Sequence, residues 1–281
     1  MPMVTIAGRP VQYELSGRDG PVVVLETGLG AESSAWSGVV QSLDPDHRVL
    51  TYDRPGRGGS NPLGHTRDAT EIAADLHDLL TEAALAPPYI FVGQSFGGMI
   101  GRMFADSFPE DVSLLVMVES MHRDQFARIE HLFPEPSDGE PAQLSSMRDF
   151  WQEGWRDPMN NPERIDFRRS FRQDAHITSL GDLPVAVITA EDFRSSAFLP
   201  ADRRERMQAV WNELQLDLAG LSRDAARIPA KGSGHFVQRD RPAMIAECVR
   251  ATGSGPGRLL SGRERPPVRT AANGAAASPD V

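Results

Sequence analysis

The stretch Gly93-Gln94-Ser95-Phe96-Gly97, followed by Gly98, constrains this chain more than any other part of its sequence. It comes directly after an apolar run of strand type, 89–92 (Tyr-Ile-Phe-Val), and opens a helical pattern over 98–108 that stops at Pro109. A serine in so sharp a strand-to-helix turn sits in strained backbone, so the positions two before and two after it have to be small. Both are glycine. The turn lifts the serine hydroxyl above the end of a sheet, beside a helix N-terminus that favours a developing negative charge. Without its flanks the pattern would be only a Gly-rich turn. Strand before and helix after make Ser95 a candidate nucleophile.

The rest of the chain supplies the sheet that such a turn needs. Residues 11–15 alternate apolar and polar, as an edge strand does. Residues 22–26 (Val-Val-Val-Leu-Glu) form the β-branched run of a strand covered on both faces. Further strands are predicted over 48–52, 113–118 and 184–189, with a short strand-like stretch at 226–228. Between them lie helical patterns over 69–84, where Ile72, Leu76, Leu79, Leu80 and Ala83 approach a 3.6-residue period, and over 202–221. Another helix is predicted from Pro242. No internal repeat is present. Strands alternating with helices predict an α/β fold: a mostly parallel sheet with helices on both faces.

Two segments break the alternation. Residues 121–183 carry Phe150, Trp151, Trp155, Phe167 and Phe171 among five prolines. A solvated excursion would not hold so many aromatic residues exposed, so a helical cap over the sheet is predicted there. The core is then 1–120 with 184–252. From 253 to 281 Gly, Pro, Arg, Ala and Ser dominate, too little apolar surface to order a chain, and disorder is expected.

Composition excludes several classes. The net charge is −10 over 281 residues, against the clustered Lys and Arg that a nucleic-acid partner requires. The single cysteine, Cys248, allows neither an internal disulfide nor a Cys-based metal site. No apolar run reaches the length of a membrane span and no signal peptide is legible, so a cytoplasmic location is expected.

A serine nucleophile needs a base. His235, in the loop Gly232-Ser233-Gly234-His235-Phe236 late in the chain, can reach a serine at the strand ends. His47, His65 and His77 lie in turn-like, polar or helical settings, and His131 and His176 fall within the insertion. His122, which borders the same cleft, is the reserve. Thr27-Gly28-Leu29-Gly30 follows the strand over 22–26 and can aim the Leu29 N–H at the site, with the Phe96 N–H as second oxyanion donor. Gly28 lets the backbone approach the substrate.

Taken in order, the Thr-Gly-Leu-Gly loop, the loop Asp53-Arg54-Pro55-Gly56-Arg57-Gly58-Gly59-Ser60, the Gly-Gln-Ser-Phe-Gly-Gly elbow, the insertion and the Gly-His loop resemble the α/β-hydrolase superfamily over roughly 10–250. The resemblance implies that the Asp-Arg loop braces the site without doing chemistry. It also implies a triad acid after the strand that follows the cap, as Gly-x-x-Asp. Here that stretch reads Ala190-Glu191-Asp192-Phe193, which puts Asp192 one residue early. Dehalogenase-like and lactonase-like members instead take the acid from the end of the preceding strand, which here is Glu119. A glutamate closing an apolar strand is costly to bury without a partner, and a histidine N–H is such a partner. Glu119 ranks ahead of Asp192, and both stay open on sequence.

The expected chemistry is acyl transfer from an ester or lactone of a hydrophobic small molecule to Ser95 and then to water, with no metal or organic cofactor. A serine rather than an aspartate at the elbow argues against dehalogenase and epoxide hydrolase chemistry. Thioesterase, C–C bond hydrolase, perhydrolase and lyase activities stay open, as does a non-hydrolytic ligand-binding protein on the same scaffold. Substrate identity and oligomeric state are not legible.

Overall fold

The computed structural model describes residues 3–6, 9–43, 47–62, 64–191 and 197–252. Eight strands form one sheet in the order β1-β2-β4-β3-β5-β6-β7-β8. They are β1 (Met3–Ile6), β2 (Arg9–Ser16), β3 (Val22–Glu26), β4 (Arg48–Tyr52), β5 (Tyr89–Gln94), β6 (Val112–Val118), β7 (Val185–Ala190) and β8 (Ala225–Ala230). β1 and β2 pair antiparallel, as do β2 and β4; every other pairing is parallel. The fold is therefore the α/β arrangement that the sequence predicts, with the alternating strand 11–15 lying within β2, toward the antiparallel edge. The short β1 carries too weak a pattern to be legible.

The parallel strands are buried on both faces, and successive residues feed two different cores. Val22, Val24, Leu50, Phe91, Leu115, Met117 and Val187 pack on one side, against α2 (Ala69–Glu82) and α3 (Phe96–Ser107). Val23, Leu25, Val49, Ile90, Val92, Val116 and Ile188 pack on the other, against α1 (Ser37–Leu43) and a C-terminal helix over Pro242–Thr252. α2 begins with a reciprocal capping box in which Asp68 and Glu71 satisfy each other's backbone N–H groups.

Between β6 and β7 the chain forms α4 (Gln125–Ile129), α5 (Ala142–Gln152) and α6 (Phe167–Asp174). Phe126 is the centre of their packing. It stacks on Trp155 at 4.7 Å and meets Trp151 edge-on at 5.0 Å, with Phe150, Phe167 and Phe171 around it. Such pairs add about 0.5–1.5 kcal/mol each beyond the area they bury. A second cluster joins Ile129, Leu132, Phe133 and Leu144 to α7 (Ala201–Ala219), through Met207, Trp211 and Leu214. Those three and Leu218 recur at three- and four-residue spacing, which turns one face of α7 inward. After β8 come α8 (Val237–Asp240) and α9 (Pro242–Thr252). The tail expected to be disordered, 253–281, lies outside the described residues. Among the described residues no helix is long and apolar enough to cross a membrane.

Candidate active site

Ser95 occupies the single residue between β5 and α3, with φ 54° and ψ −117°. That is sparsely populated backbone for a residue with a Cβ, of the kind that costs about 1–3 kcal/mol and persists only where its surroundings dictate it. Here they do. The Ser95 N–H donates to the Val118 carbonyl, and the Ser95 carbonyl accepts from the N–H of Gly98 and of Met121. The flanking glycines are obligatory. A Cβ on Gly97 would run into the carbonyl oxygens of Glu26 and Thr27, the latter at 2.7 Å. Gly97→Ala is therefore expected to destabilise the fold by about 1–3 kcal/mol, the usual cost of overpacking, as read by urea unfolding. An unchanged midpoint would mean that β3 and α3 can part freely.

Glu119 follows β6 directly and also lies at positive φ, 48°. Its N–H donates to Ile188, and Gln215 of α7 holds both the N–H and the carbonyl of the next residue, Ser120. The Glu119 side chain is buried. Its Oε1 accepts from the Ala190 N–H at 2.7 Å and from the Trp211 indole N–H at 3.0 Å. Its Oε2 lies 3.3 Å from His235 Nδ1. The partner that a buried strand-end glutamate requires is thus His235. Asp192, the other candidate acid, lies outside the described residues.

A carboxylate facing Nδ1 places the imidazole proton there and leaves Nε2 as an acceptor. In this structure that lone pair receives the Gln94 amide, Nε2 to Nε2 at 3.1 Å, and Gln94 also donates to the His235 carbonyl at 3.2 Å. Ser95 is not among the hydrogen-bond partners of His235 here. Trp211 meets the His235 ring edge-on, and Asp240 holds the loop before it by accepting from Ser233 and from the Gly234 N–H. The neighbouring Gln94 and the close approach of Gly28 to Ser95 bring all three segments to one strand end; a Cβ on Gly28 would lie 3.3 Å from the Ser95 Cβ. Phe96, which follows Ser95, is buried under Phe167 of the insertion at 5.6 Å. Among the described residues no acceptor is paired with the N–H of Leu29 or of Phe96.

His122 does not join this group. Its Nδ1 accepts from the Asp124 N–H, and its Nε2 donates to Asp217 at 2.9 Å. Burial holds its pKa below the ordinary histidine value, although the Asp217 hydrogen bond opposes it. A folded-state value below the unfolded one means that protons favour the unfolded chain. The contribution is complete above about pH 6.5 and is lost as pH falls toward the folded value. Wild-type unfolding free energy should therefore drop between pH 7 and 5 with a slope of at most about 1.4 kcal/mol per unit from this group. His122→Gln should flatten that slope, and an identical pH profile would show that His122 binds protons equally in both states.

Behind the site lies a buried charge cluster that sequence reasoning did not find. Arg54 is paired with Glu26, at the end of β3, and with Glu163 of the insertion; all three side chains are shielded from solvent. Tyr52 donates to Glu26. Burial raises the Glu26 pKa, with Arg54 and Tyr52 opposing. Burial acts on Glu163 in the same direction, but there Arg54 outweighs it and holds the carboxyl below its ordinary range. Glu26 had a legible signal, a charged residue closing an apolar strand as Glu119 does. Glu163 had none, since 109 residues separate it from Arg54. A second anchor of the insertion, Arg102 to Asp174, is equally buried.

Residues 21–153 match the family model for the alpha/beta hydrolase fold. YqjL of Bacillus subtilis (strain 168), an uncharacterized protein, is 24% identical over 233 residues, 82% of this chain and 82% of its own length. RutD of Escherichia coli O139:H28 (strain E24377A / ETEC), to which carbamate hydrolysis is ascribed, is 36% identical over 107 residues, 37% of this chain and 40% of its own length. The enol-lactonase of Burkholderia xenovorans LB400 superposes with a TM-score of 0.61 at 18% identity, covering 89% of this chain and 98% of that one. The sheet order, the strained elbow serine and the family-model match agree, and the fold of the chain is that of the α/β hydrolases.

Proposed function

We propose that this chain is a serine hydrolase that cleaves an ester or lactone of an apolar small molecule through an acyl-enzyme. The observation that carries the reading is a serine in strained backbone at the elbow, whose neighbour Gln94 meets a histidine with its Nδ1 facing a buried carboxylate. In the proposed reaction His235 Nε2 leaves the Gln94 amide and takes the Ser95 proton as Oγ attacks the carbonyl carbon. The Leu29 and Phe96 N–H groups receive the oxyanion. The imidazolium, held by Glu119, protonates the departing alcohol. Water, deprotonated by His235, then releases the acid and restores Ser95. That Nε2 is engaged elsewhere beforehand is no obstacle, since catalytic hydrogen bonds often form only with substrate in place.

The insertion acts in this reading as the cap, and its aromatic residues supply the apolar wall from which the substrate class is argued. The enol-lactonase likeness supports a lactone, and the RutD likeness keeps carbamates within the range of substrates. The engaged Nε2 of His235 favours one second reading, a ligand-binding protein in which the histidine never turns to Ser95. A fluorophosphonate probe followed by peptide mapping, alongside a panel of esters, lactones, thioesters and carbamates, separates the two. Labelling at Ser95 with turnover of at least one class is the expected result. No labelling and no turnover, with a ligand still bound, would establish the second reading instead.

A further inference from the structure

We infer that Arg54 aims and strengthens the Leu29 oxyanion donor through the Gly28–Leu29 peptide, and that Glu163 of the insertion holds Arg54 in the pose that does so. The inference rests on the serine-hydrolase reading and adds two positioning residues to it, neither of which touches substrate.

The loop Thr27–Gly30 has one backbone bond of its own, from the Ala31 N–H to the Gly28 carbonyl at 3.2 Å. Gly28 and Gly30 flank Leu29, and Gly30 lies at φ 71°, so the backbone is free to take several courses. The rest of its constraint comes from outside. Arg54 Nη1 donates to the Thr27 carbonyl at 2.7 Å and to Thr27 Oγ1 at 3.1 Å, besides Glu26. Nη2 donates to the Gly28 carbonyl at 2.7 Å and to Glu163 Oε1 at 2.8 Å. Nε donates to Glu163 Oε2 at 2.6 Å. All five guanidinium N–H groups thus have acceptors. Glu163 Oε1 also accepts from the Gly30 N–H at 2.6 Å.

The Gly28 carbonyl is the decisive acceptor. It shares one planar trans peptide with the Leu29 N–H, and the two point in opposite directions. Pinning the oxygen on Arg54, inside the fold, turns the N–H outward on the other side. Gly28 itself abuts the Ser95 Cβ, so this peptide lies at the elbow. A cation on the carbonyl oxygen also polarises the peptide and makes its N–H a stronger donor. The Gly30 bond to Glu163 fixes the loop on the far side of Leu29. Leu29 is therefore the free donor between two clamped groups. Arg54 further places its guanidinium 5.7 Å from the ring centroid of Phe96, whose N–H is the second proposed donor.

Glu163 is supplied by the insertion, so assembly of the oxyanion site depends on how the insertion is seated. A lysine at 54 would keep the charge but could not span Glu163 and the Gly28 carbonyl together. Glutamine at 163 would keep the acceptor for Gly30 but weaken the hold on Arg54.

The test compares wild type, Glu163→Gln and Arg54→Lys on the best ester of the substrate panel, each checked by thermal unfolding. Glu163→Gln is expected to lower kcat by about 10²-fold, the range seen when one oxyanion donor is lost, with KM within about threefold. A trifluoromethyl ketone, which forms the tetrahedral adduct, should lose affinity in proportion to kcat/KM, while a product acid should bind as before. A residue with only a structural role would not separate these two ligands. Should either variant fail to fold, wild type still decides. In its ketone adduct the Leu29 amide proton should move downfield and that of Gly30 should not. Unchanged kcat and ketone affinity in a folded Glu163→Gln, or no Leu29 shift in wild type, overturns the inference. Fluorophosphonate labelling of Ser95 in wild type keeps that outcome distinct from failure of the serine-hydrolase reading.

Discussion

Replacing Ser95 with alanine is expected to lower kcat by roughly 10⁴-fold or more, about 5 kcal/mol of transition-state stabilisation, and to abolish labelling by a fluorophosphonate. The same variant should unfold at least as late as the wild type. The two effects part because the hydroxyl contributes nothing to the fold: among the described residues Ser95 bonds only through its backbone, to Val118, Gly98 and Met121. Glycine at this position should go further. It would relieve the strain of φ 54° while removing the nucleophile, so Ser95→Gly should be as inactive as Ser95→Ala and more stable than it by about 1 kcal/mol. Activity lost with stability gained is the signature of a conformation kept for chemistry. Steady-state kinetics and urea unfolding on the three proteins check both halves. Full turnover by Ser95→Ala would remove the acyl-enzyme from the mechanism altogether.

Much of this arrangement was legible because each segment carries a local rule. Residues 22–26 read as a doubly covered strand and 113–118 as a strand, and they form β3, buried throughout, and β6. The elbow announced itself through the glycines at 93 and 97, whose neighbours leave no room for a Cβ. Glu119 was inferred from the cost of burying a strand-end carboxylate, and its Oε2 lies 3.3 Å from His235 Nδ1. What stayed hidden depends on pairs remote in sequence. Trp211 reads only as one apolar residue of a helix, yet its indole N–H fixes Glu119 from 92 residues away. Gln94 lies inside the motif, but nothing in the motif says that its amide will face the His235 ring. The helix over Ser37–Leu43 and the four-residue β1 are too short for a period to declare itself. Even α3 begins two residues earlier than its pattern suggests, at Phe96, because the elbow enters the helix at once.

Glu119→Gln is the substitution in which that hidden support has the largest consequence. An amide in place of the carboxylate must choose which end faces His235, and its surroundings make the choice. The Oε1 position is held by two donors, the Ala190 N–H and the Trp211 indole N–H. Only an oxygen can sit there without leaving both unpaired in the interior, at about 1–3 kcal/mol for each buried orphan. The glutamine NH₂ is therefore driven to the Oε2 side, where it donates to Nδ1. The imidazole proton moves to Nε2, and the ring can no longer accept the Ser95 proton. The expected loss in kcat is about 10⁴-fold at neutral pH, the scale of an Asp→Asn change in a serine protease triad, with near-normal stability because the Ala190 N–H and the Trp211 indole N–H both keep their acceptor. Asp192→Asn should leave kcat within about tenfold, since the Nδ1 position is already taken by Glu119. The ¹⁵N shifts of the His235 ring should report the tautomer directly, with Nε2 protonated in Glu119→Gln and Nδ1 protonated in wild type. If instead Asp192→Asn is the inactive variant and Glu119→Gln turns over normally, the acid belongs to the loop after β7, and the Trp211–Glu119–His235 chain only braces the histidine.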